Sequence, residues 1–282
     1  TSTDSEPAVP AVPVGLIEEL VAAVGAGHVA TGADIAEDDT HDEAITAEPV
    51  TPAAVVRPGT TDEVAAVLRA CDAAGVPVTA RGSGTGLSGA AIPVPGGVVV
   101  AFDRMKRIVE IDTENHMAVV QPGVTLHELD EALTPHGLVY PVFPGEDSAS
   151  LGGNVNTNAG GMRAVKYGVT RHHVLGLELV LTSGDVIRTG GKVVKATSGY
   201  DLTQLVIGSE GTLGLVTEVT LKLHPRLAHS STVLVPFATL DEVTRVVPEI
   251  VRSGVGPMIL EYIDMLTMAA ATLLPPFLPR AT

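Results

Sequence analysis

Val64, Val67, Leu68 and Cys71 recur at i, i+3, i+4 and i+7, a spacing that gathers four apolar side chains on one face of a helix. Thr60 and Glu63 ahead of them form a capping-box pair, and Gly75 supplies a stop. Short apolar runs flank this helix, at residues 53–57 (closed by Pro58 and Gly59), 76–80 and 97–102, and each reads as a strand. Residues 108–112 and 117–121 alternate with a period of two and predict an antiparallel pair around the polar turn 113–115. Thr125 and Glu128 open a second capped helix that runs to about Gly137. A hairpin is expected from residues 177–181 and 186–189, with a closing strand over 216–223 before Pro225.

The flanks read differently. Residues 1–13, rich in Pro, Ser and acids, predict a flexible tail, Leu16–Val24 a lead-in helix, and the acidic stretch 34–48 an extended surface connection. Beyond Arg226 the pattern predicts a strand at 231–236, a helix at 240–253 and a strand at 258–262 leading into an apolar helix. That set is incomplete, so a second domain that is cut short is expected. The division is 1–50 for tail and helix, 51–225 for a two-lobed unit with lobes 51–112 and 113–225, and 226–282 for the start of the second domain.

Composition narrows the class. Apolar residues make up 45% of the 282 and aromatics only 3%, with no Trp, so the core must be built from Val, Leu, Ile and Ala. A net charge of -16 with scattered Lys and Arg argues against nucleic acid, which needs a basic face to displace counterions. The single Cys71 allows neither an internal disulfide nor a thiolate metal cluster, and it sits on the apolar stripe of its helix. No run reaches the ~18 apolar residues of a membrane span, so a cytoplasmic enzyme, at most peripheral to a membrane, is expected.

Three segments carry candidate chemistry. Residues 81–89 (Arg-Gly-Ser-Gly-Thr-Gly-Leu-Ser-Gly) follow a strand directly, and glycines there let backbone N–H groups approach a phosphate. Gly84, Gly86 and Gly89 have the dinucleotide-fingerprint spacing, yet residues 90–97 hold two prolines and two glycines where that motif needs a helix. Residues 144–161, dense in Gly, Asn, Ser and Thr, have neither strand nor helix periodicity over most of their length and suit a ligand-binding loop. Residues 207–218 read as a tight turn feeding the closing strand, with Glu210 able to meet hydroxyl or amine groups.

In this order and spacing the three segments resemble the FAD-linked oxidases of the vanillyl-alcohol oxidase or p-cresol methylhydroxylase type, and within them the glycolate oxidase FAD subunit and D-lactate dehydrogenase group. The similarity covers about residues 40–225 and continues weakly through 260–264. It implies an α+β fold with a two-lobed FAD domain of two α/β subdomains, followed by the start of an α+β cap domain. It also implies an oxidoreductase that moves a hydride from a small D-2-hydroxy acid to non-covalent FAD. By the resemblance, Gly82, Ser83, Gly84, Thr85, Gly86 and Ser88 meet the pyrophosphate. Pro144, Gly145, Leu151, Gly152, Gly153, Asn154, Thr157, Asn158, Ala159, Gly160 and Gly161 line flavin and ribityl chain, Lys166 to Gly168 lie near the flavin ring, and Glu210, Gly211 and Val216 meet the adenosine end. Covalent relatives carry His where this chain has Thr85.

The resemblance places the catalytic base, metal-binding histidines and carboxylate-binding arginine in later segments, so no catalytic residue is assigned and no metal is expected in this chain. His172 and His173 are adjacent and face different ways, which favours a structural role over a catalytic one. The electron acceptor is open: oxygen, a quinone, a cytochrome or a partner redox subunit all fit, and a homodimer is admissible. Two other readings stand beside this one, an NAD-dependent Rossmann dehydrogenase and a non-catalytic FAD-binding subunit of a larger complex.

Overall fold

A computed structural model describes residues 13–273; the tail 1–12 and the end 274–282 lie outside the described residues. The two larger sheets build two lobes. The first joins β1 (Val29–Ala30), β2 (Ala54–Val56), β3 (Val78–Arg81) and β4 (Val98–Ala101) in the order β1-β2-β4-β3, with β2, β4 and β3 parallel and β1 antiparallel at one edge. Every residue of β2 and β4 is buried, as parallel strands covered on both faces require. Helices α1 (Leu16–Val24) and α2 (Thr61–Ala74) cover one face. Leu20, Val64, Val67, Val98 and Val100 are fully buried in their shared core, each side chain contributing about 1.5–3 kcal/mol relative to exposure.

The capping signals are met, with one variation. Thr60 accepts the Glu63 amide, but the Glu63 carboxylate takes the amide of Gly59 (2.6 Å) in place of that of Thr60. Gly75 ends α2 at φ +66°, where a β-carbon would be strained. At α3 (Leu126–Leu133) the Thr125 and Glu128 box is complete, and a 3-10 turn carries the helix on to Gly137.

The second sheet is antiparallel throughout: β5 (Ile108–Asp112), β6 (Met117–Val120), β8 (Val174–Val180), β9 (Val186–Gly190) and β10 (Leu215–Lys222), in the order β5-β6-β10-β8-β9. Helix α4 (Leu151–Thr157) packs against it through Leu151 and Val155, beside α3 through Leu129 and Leu133. Three small elements complete this lobe: α5 (Ala164–Tyr167), α6 (Leu202–Val206) and a two-stranded ribbon of β7 (Leu138–Val139) with β11 (His224–Pro225). The lobes are tied on the side of α2. Thr61 Oγ1 donates to Glu178 Oε1 (2.7 Å), Arg69 Nη1 donates to the Gly184 carbonyl (3.0 Å), and Val180 and Leu215 enter the first core. Arg188 pairs with the second Glu178 oxygen.

The two-lobed α+β architecture expected from sequence is present, with corrections. The chain changes lobes between residues 102 and 107, before β5 rather than after Asp112, because β5 pairs with β6. The expected surface connection 34–48 holds short 3-10 turns (Gly32–Asp34 and Glu37–Thr40) and buries Asp39 and Asp42, so residues 16–50 are part of the first lobe. Segment 144–161, which lacks helix periodicity over most of its length, contains the short helix α4. The expected strands at 231–236 and 258–262 do not form: Val233 and Leu234 are 80% and 77% exposed, with no neighbouring strand to bond. Helices α7 (Leu240–Arg252) and α8 (Met265–Leu273) occupy the expected places, and Val243 alone among the described residues after Arg226 is a buried hydrophobic. No helix among the described residues is long and apolar enough to cross a membrane.

Candidate functional site

Strand β3 ends at Arg81, and the chain then runs without a helix from Gly82 to β4. The dinucleotide fingerprint needs a helix opening within its glycines, so the Rossmann reading of residues 84–89 fails here. The glycines have local reasons. Gly84 stands at φ +75°, and a β-carbon on it would fall on the Arg81 guanidinium; one on Gly82 would fall on Ser150 Oγ. Backbone thus lies bare where the loop faces the cleft.

Ser150 caps α4 and stitches the two walls together. Its Oγ accepts the amides of Gly153 (3.4 Å) and Ser83 (3.3 Å), while Ser83 Oγ donates to the Ser148 carbonyl (2.6 Å). Gly152 lets α4 sit on Pro122, whose Cβ would be 2.6 Å from an added β-carbon. The third segment closes the far end of α4, where the amides of Gly208 and Glu210 donate to the carbonyls of Val155 (3.0 Å) and Asn156 (2.8 Å). Glu210 is left-handed at φ +55°.

Between these walls lies a cleft of about 410 Å³. Fifteen of the sequence-predicted residues line it: Gly82, Ser83, Gly84, Thr85, Gly86, Ser88, Pro144, Gly152, Gly153, Asn154, Thr157, Ala159, Glu210, Gly211 and Val216. Gly145, Leu151, Asn158, Gly160 and Gly161 do not. Leu151 is fully buried in the second core, and Asn158 ends α4 at φ +50° with its Oδ1 accepting the Arg171 amide (3.0 Å). A β-carbon on Gly160 would meet Val169, and one on Gly161 the Phe143 carbonyl and Pro144, so both glycines serve close packing.

Sequence reasoning missed Asp42, Glu43, Arg81, Ser150 and Asn156, which also line the cleft. Ser150 was findable, since a Ser three residues ahead of Gly153 and one ahead of Leu151 is a cap signal. Asp42 was not: its Oδ1 takes the Ala44 amide (3.1 Å) and its Oδ2 the Ala91 amide (3.4 Å), a partner 49 residues away.

The cleft suits a nucleotide cofactor. Bare loop backbone can receive phosphates, and Asn154 Nδ2 and Asn156 Oδ1, buried on the lining residues, have no partner among the described residues. Hydrogen bonds from the Ser148 backbone amide and then from its side chain hold the Glu146 carboxyl below its usual range. Among the described residues no group of three or more His, Cys, Asp or Glu is placed to hold a metal.

The histidines lie behind this wall. His173 is 3% exposed, its Nε2 donates to the Tyr167 carbonyl (2.9 Å), and its ring meets those of Tyr140 and His224 edge-on. Burial is the main cause that pushes its pKa down to about 4. His172 is exposed, its Nδ1 accepting the Val169 amide (3.0 Å). Lys166 and Tyr167 stack with one another on α5, and neither lines the cleft.

Residues 52–190 match the family described as FAD binding domain. An uncharacterized FAD-linked oxidoreductase of Mycobacterium tuberculosis is 60% identical over 247 residues, 88% of this chain and 54% of that protein. The glycolate oxidase subunit GlcD of Bacillus subtilis is 46% identical over 77% of this chain and 46% of its own length, and a D-lactate dehydrogenase of Anaerostipes hadrus 42% identical over 84% and 50%. The chain spans about half the length of the curated relatives it matches. A solved alkyldihydroxyacetonephosphate synthase superposes with a TM-score of 0.74 at 20% identity, over 91% of this chain and 48% of that one, and so shares the fold. Residues 52–190 therefore carry an FAD binding domain, in a chain that is similar to FAD-linked oxidoreductases over most of its length.

Proposed function

We propose that this chain is the flavin-holding half of an FAD-dependent oxidoreductase that oxidises a small D-2-hydroxy acid such as glycolate or D-lactate. One observation carries the reading: a cleft walled by three glycine-rich segments, in a chain whose relatives are named glycolate oxidase subunit and D-lactate dehydrogenase. In this reading the loop 82–88 offers backbone N–H groups to the pyrophosphate, and Pro144, Gly152, Gly153, Asn154, Thr157 and Ala159 line the flavin and ribityl chain. Glu210, Gly211 and Val216 meet the adenosine end.

When bound, FAD supplies the two-electron acceptor for the hydride leaving the substrate's C2. The residues of this chain bind and orient it. Thr85 offers no ring nitrogen for a covalent link. Among the described residues no histidine lines the cleft, and the reading places the base and the carboxylate partner in the part of the longer relatives that this chain does not span. Residues 226–273 are then the entry to a substrate-side cap.

The test is to load the apoprotein with FAD and add glycolate, D-lactate and L-lactate without oxygen. Flavin absorption should appear when this chain is loaded, and in a protein that also carries the segment present in the longer relatives it should bleach with a D-2-hydroxy acid. In that longer protein, flavin that stays oxidised with every substrate would favour a non-catalytic FAD-binding subunit. Protein that takes up no FAD would sink both.

A further inference from the structure

The charged lining of the cleft is lopsided. Asp42, Glu43, Glu146 and Glu210 bring four carboxylates to it, and Arg81 is the one basic residue among those that line it. A pyrophosphate entering such a site meets like charge on several sides, and repulsion grows as water is excluded.

Arg81 is built into place. It is 8% exposed, and its guanidinium lies where a β-carbon on Gly84 would stand, directly against the backbone of the loop. Nη1 donates to the His41 carbonyl (2.5 Å), and Nε faces Asp39 Oδ1 at 3.8 Å. Asp39, itself 5% exposed, is held in turn by Arg57 Nη2 (2.7 Å). Nη2 of Arg81 donates to no group among the described residues. The brace is fixed on the loop as well, since the Glu43 amide donates to the Gly86 carbonyl (2.8 Å). Residues 39–43 lie outside the 52–190 that match the family, so this support comes from a part of the chain the match does not cover.

Resting on the FAD reading, we propose that Arg81 is the cation that faces the cofactor's pyrophosphate at the glycine loop, with Asp39 and the His41 carbonyl as the groups that position it. A guanidinium held through Nη1 and Nε leaves Nη2, the atom nearest Gly84, as the donor available to a phosphate oxygen at the loop. The acidic lining then serves selectivity, rejecting anions that cannot reach Arg81.

The test compares ligands that differ in phosphate. FAD, ADP and adenosine are titrated calorimetrically into the wild-type apoprotein and into Arg81→Gln and Arg81→Lys, with circular dichroism checking the fold. Arg81→Gln should weaken FAD and ADP at least tenfold and leave adenosine within twofold, while Arg81→Lys should keep the preference for ADP over adenosine within a few fold of wild type. Equal losses of ADP and adenosine in Arg81→Gln, or no loss of either, overturn the proposal. If Arg81→Gln does not fold, Arg81→Lys decides: a collapsed ADP preference despite the retained charge overturns it, and a retained one supports it. A wild-type protein that binds neither FAD nor ADP refutes the FAD reading itself, a different result from any of these.

Discussion

The two glycine-rich walls of the cleft are alike in composition and unlike in what their glycines do. In the loop after β3, Gly82, Gly84 and Gly86 all line the cleft. In segment 144–161 only Gly152 and Gly153 do, while Gly160 and Gly161 let the chain pass close to Val169 and Phe143. Glycine density therefore marks close approach without saying what approaches. The identity of the neighbour, ligand or backbone, is fixed by tertiary structure.

Substitutions on each wall should separate these roles. The largest effect is expected at Gly84: Gly84→Val places a branched side chain at φ +75° against Arg81. Strain of about 1–3 kcal/mol held in the loop, together with the intruding side chain, should cut FAD affinity roughly 100-fold or more. The flavin-to-protein ratio after gel filtration reads this, with circular dichroism unchanged; full occupancy would show that the loop does not meet the cofactor. Gly161→Ala should do the reverse, lowering apoprotein stability by about 3 kcal/mol because the β-carbon falls on the Phe143 carbonyl. Urea unfolding without FAD measures it.

A titration probes the same contrast. His173 supports the second wall through the Tyr167 carbonyl, and its pKa falls from 6.5 to about 4 on folding, mainly by burial. The folded protein thus favours neutral His173. Its stabilisation is complete above pH 6.5 and is lost as pH falls toward 4, by about 2–3 kcal/mol. His224, also lowered by burial, adds in the same direction. Unfolding midpoints from pH 7 to 4 should fall for the wild type and flatten in His173→Gln. The smallest effect is expected for Ser150→Ala, about 1 kcal/mol for a lost helix cap, with a modest loosening of Ser83; urea unfolding resolves it.

Much of the fold was legible because its signals are local. The α2 stripe, the caps at Thr60 and Thr125 and the Gly75 stop each depend on residues a few positions apart. The α4 helix was missed because Gly152, Gly153 and Asn154 are poor helix formers, and Ser150 with the burial of Leu151 and Val155 outweighs them. Asp39 and Asp42 read as solvated because their partners, Arg57, Arg81 and Ala91, are distant in sequence. At 231–236 the reverse holds: a short apolar run, Val233 to Val235, is present, but no strand lies alongside to complete it.

The position of β10 has a consequence for synthesis. It is made last of the five strands in its sheet and lies at the centre, bonded to β6 on one side and β8 on the other. Until residue 222 has left the ribosome, β5 with β6 and β8 with β9 are two separate ribbons, each with an open edge. The region 52–190 ends before that strand and so cannot complete the second sheet, which makes the folding unit longer than the stretch of recognisable sequence. A nascent chain stalled near residue 200 should remain protease-sensitive in this lobe and become resistant only after β10 emerges.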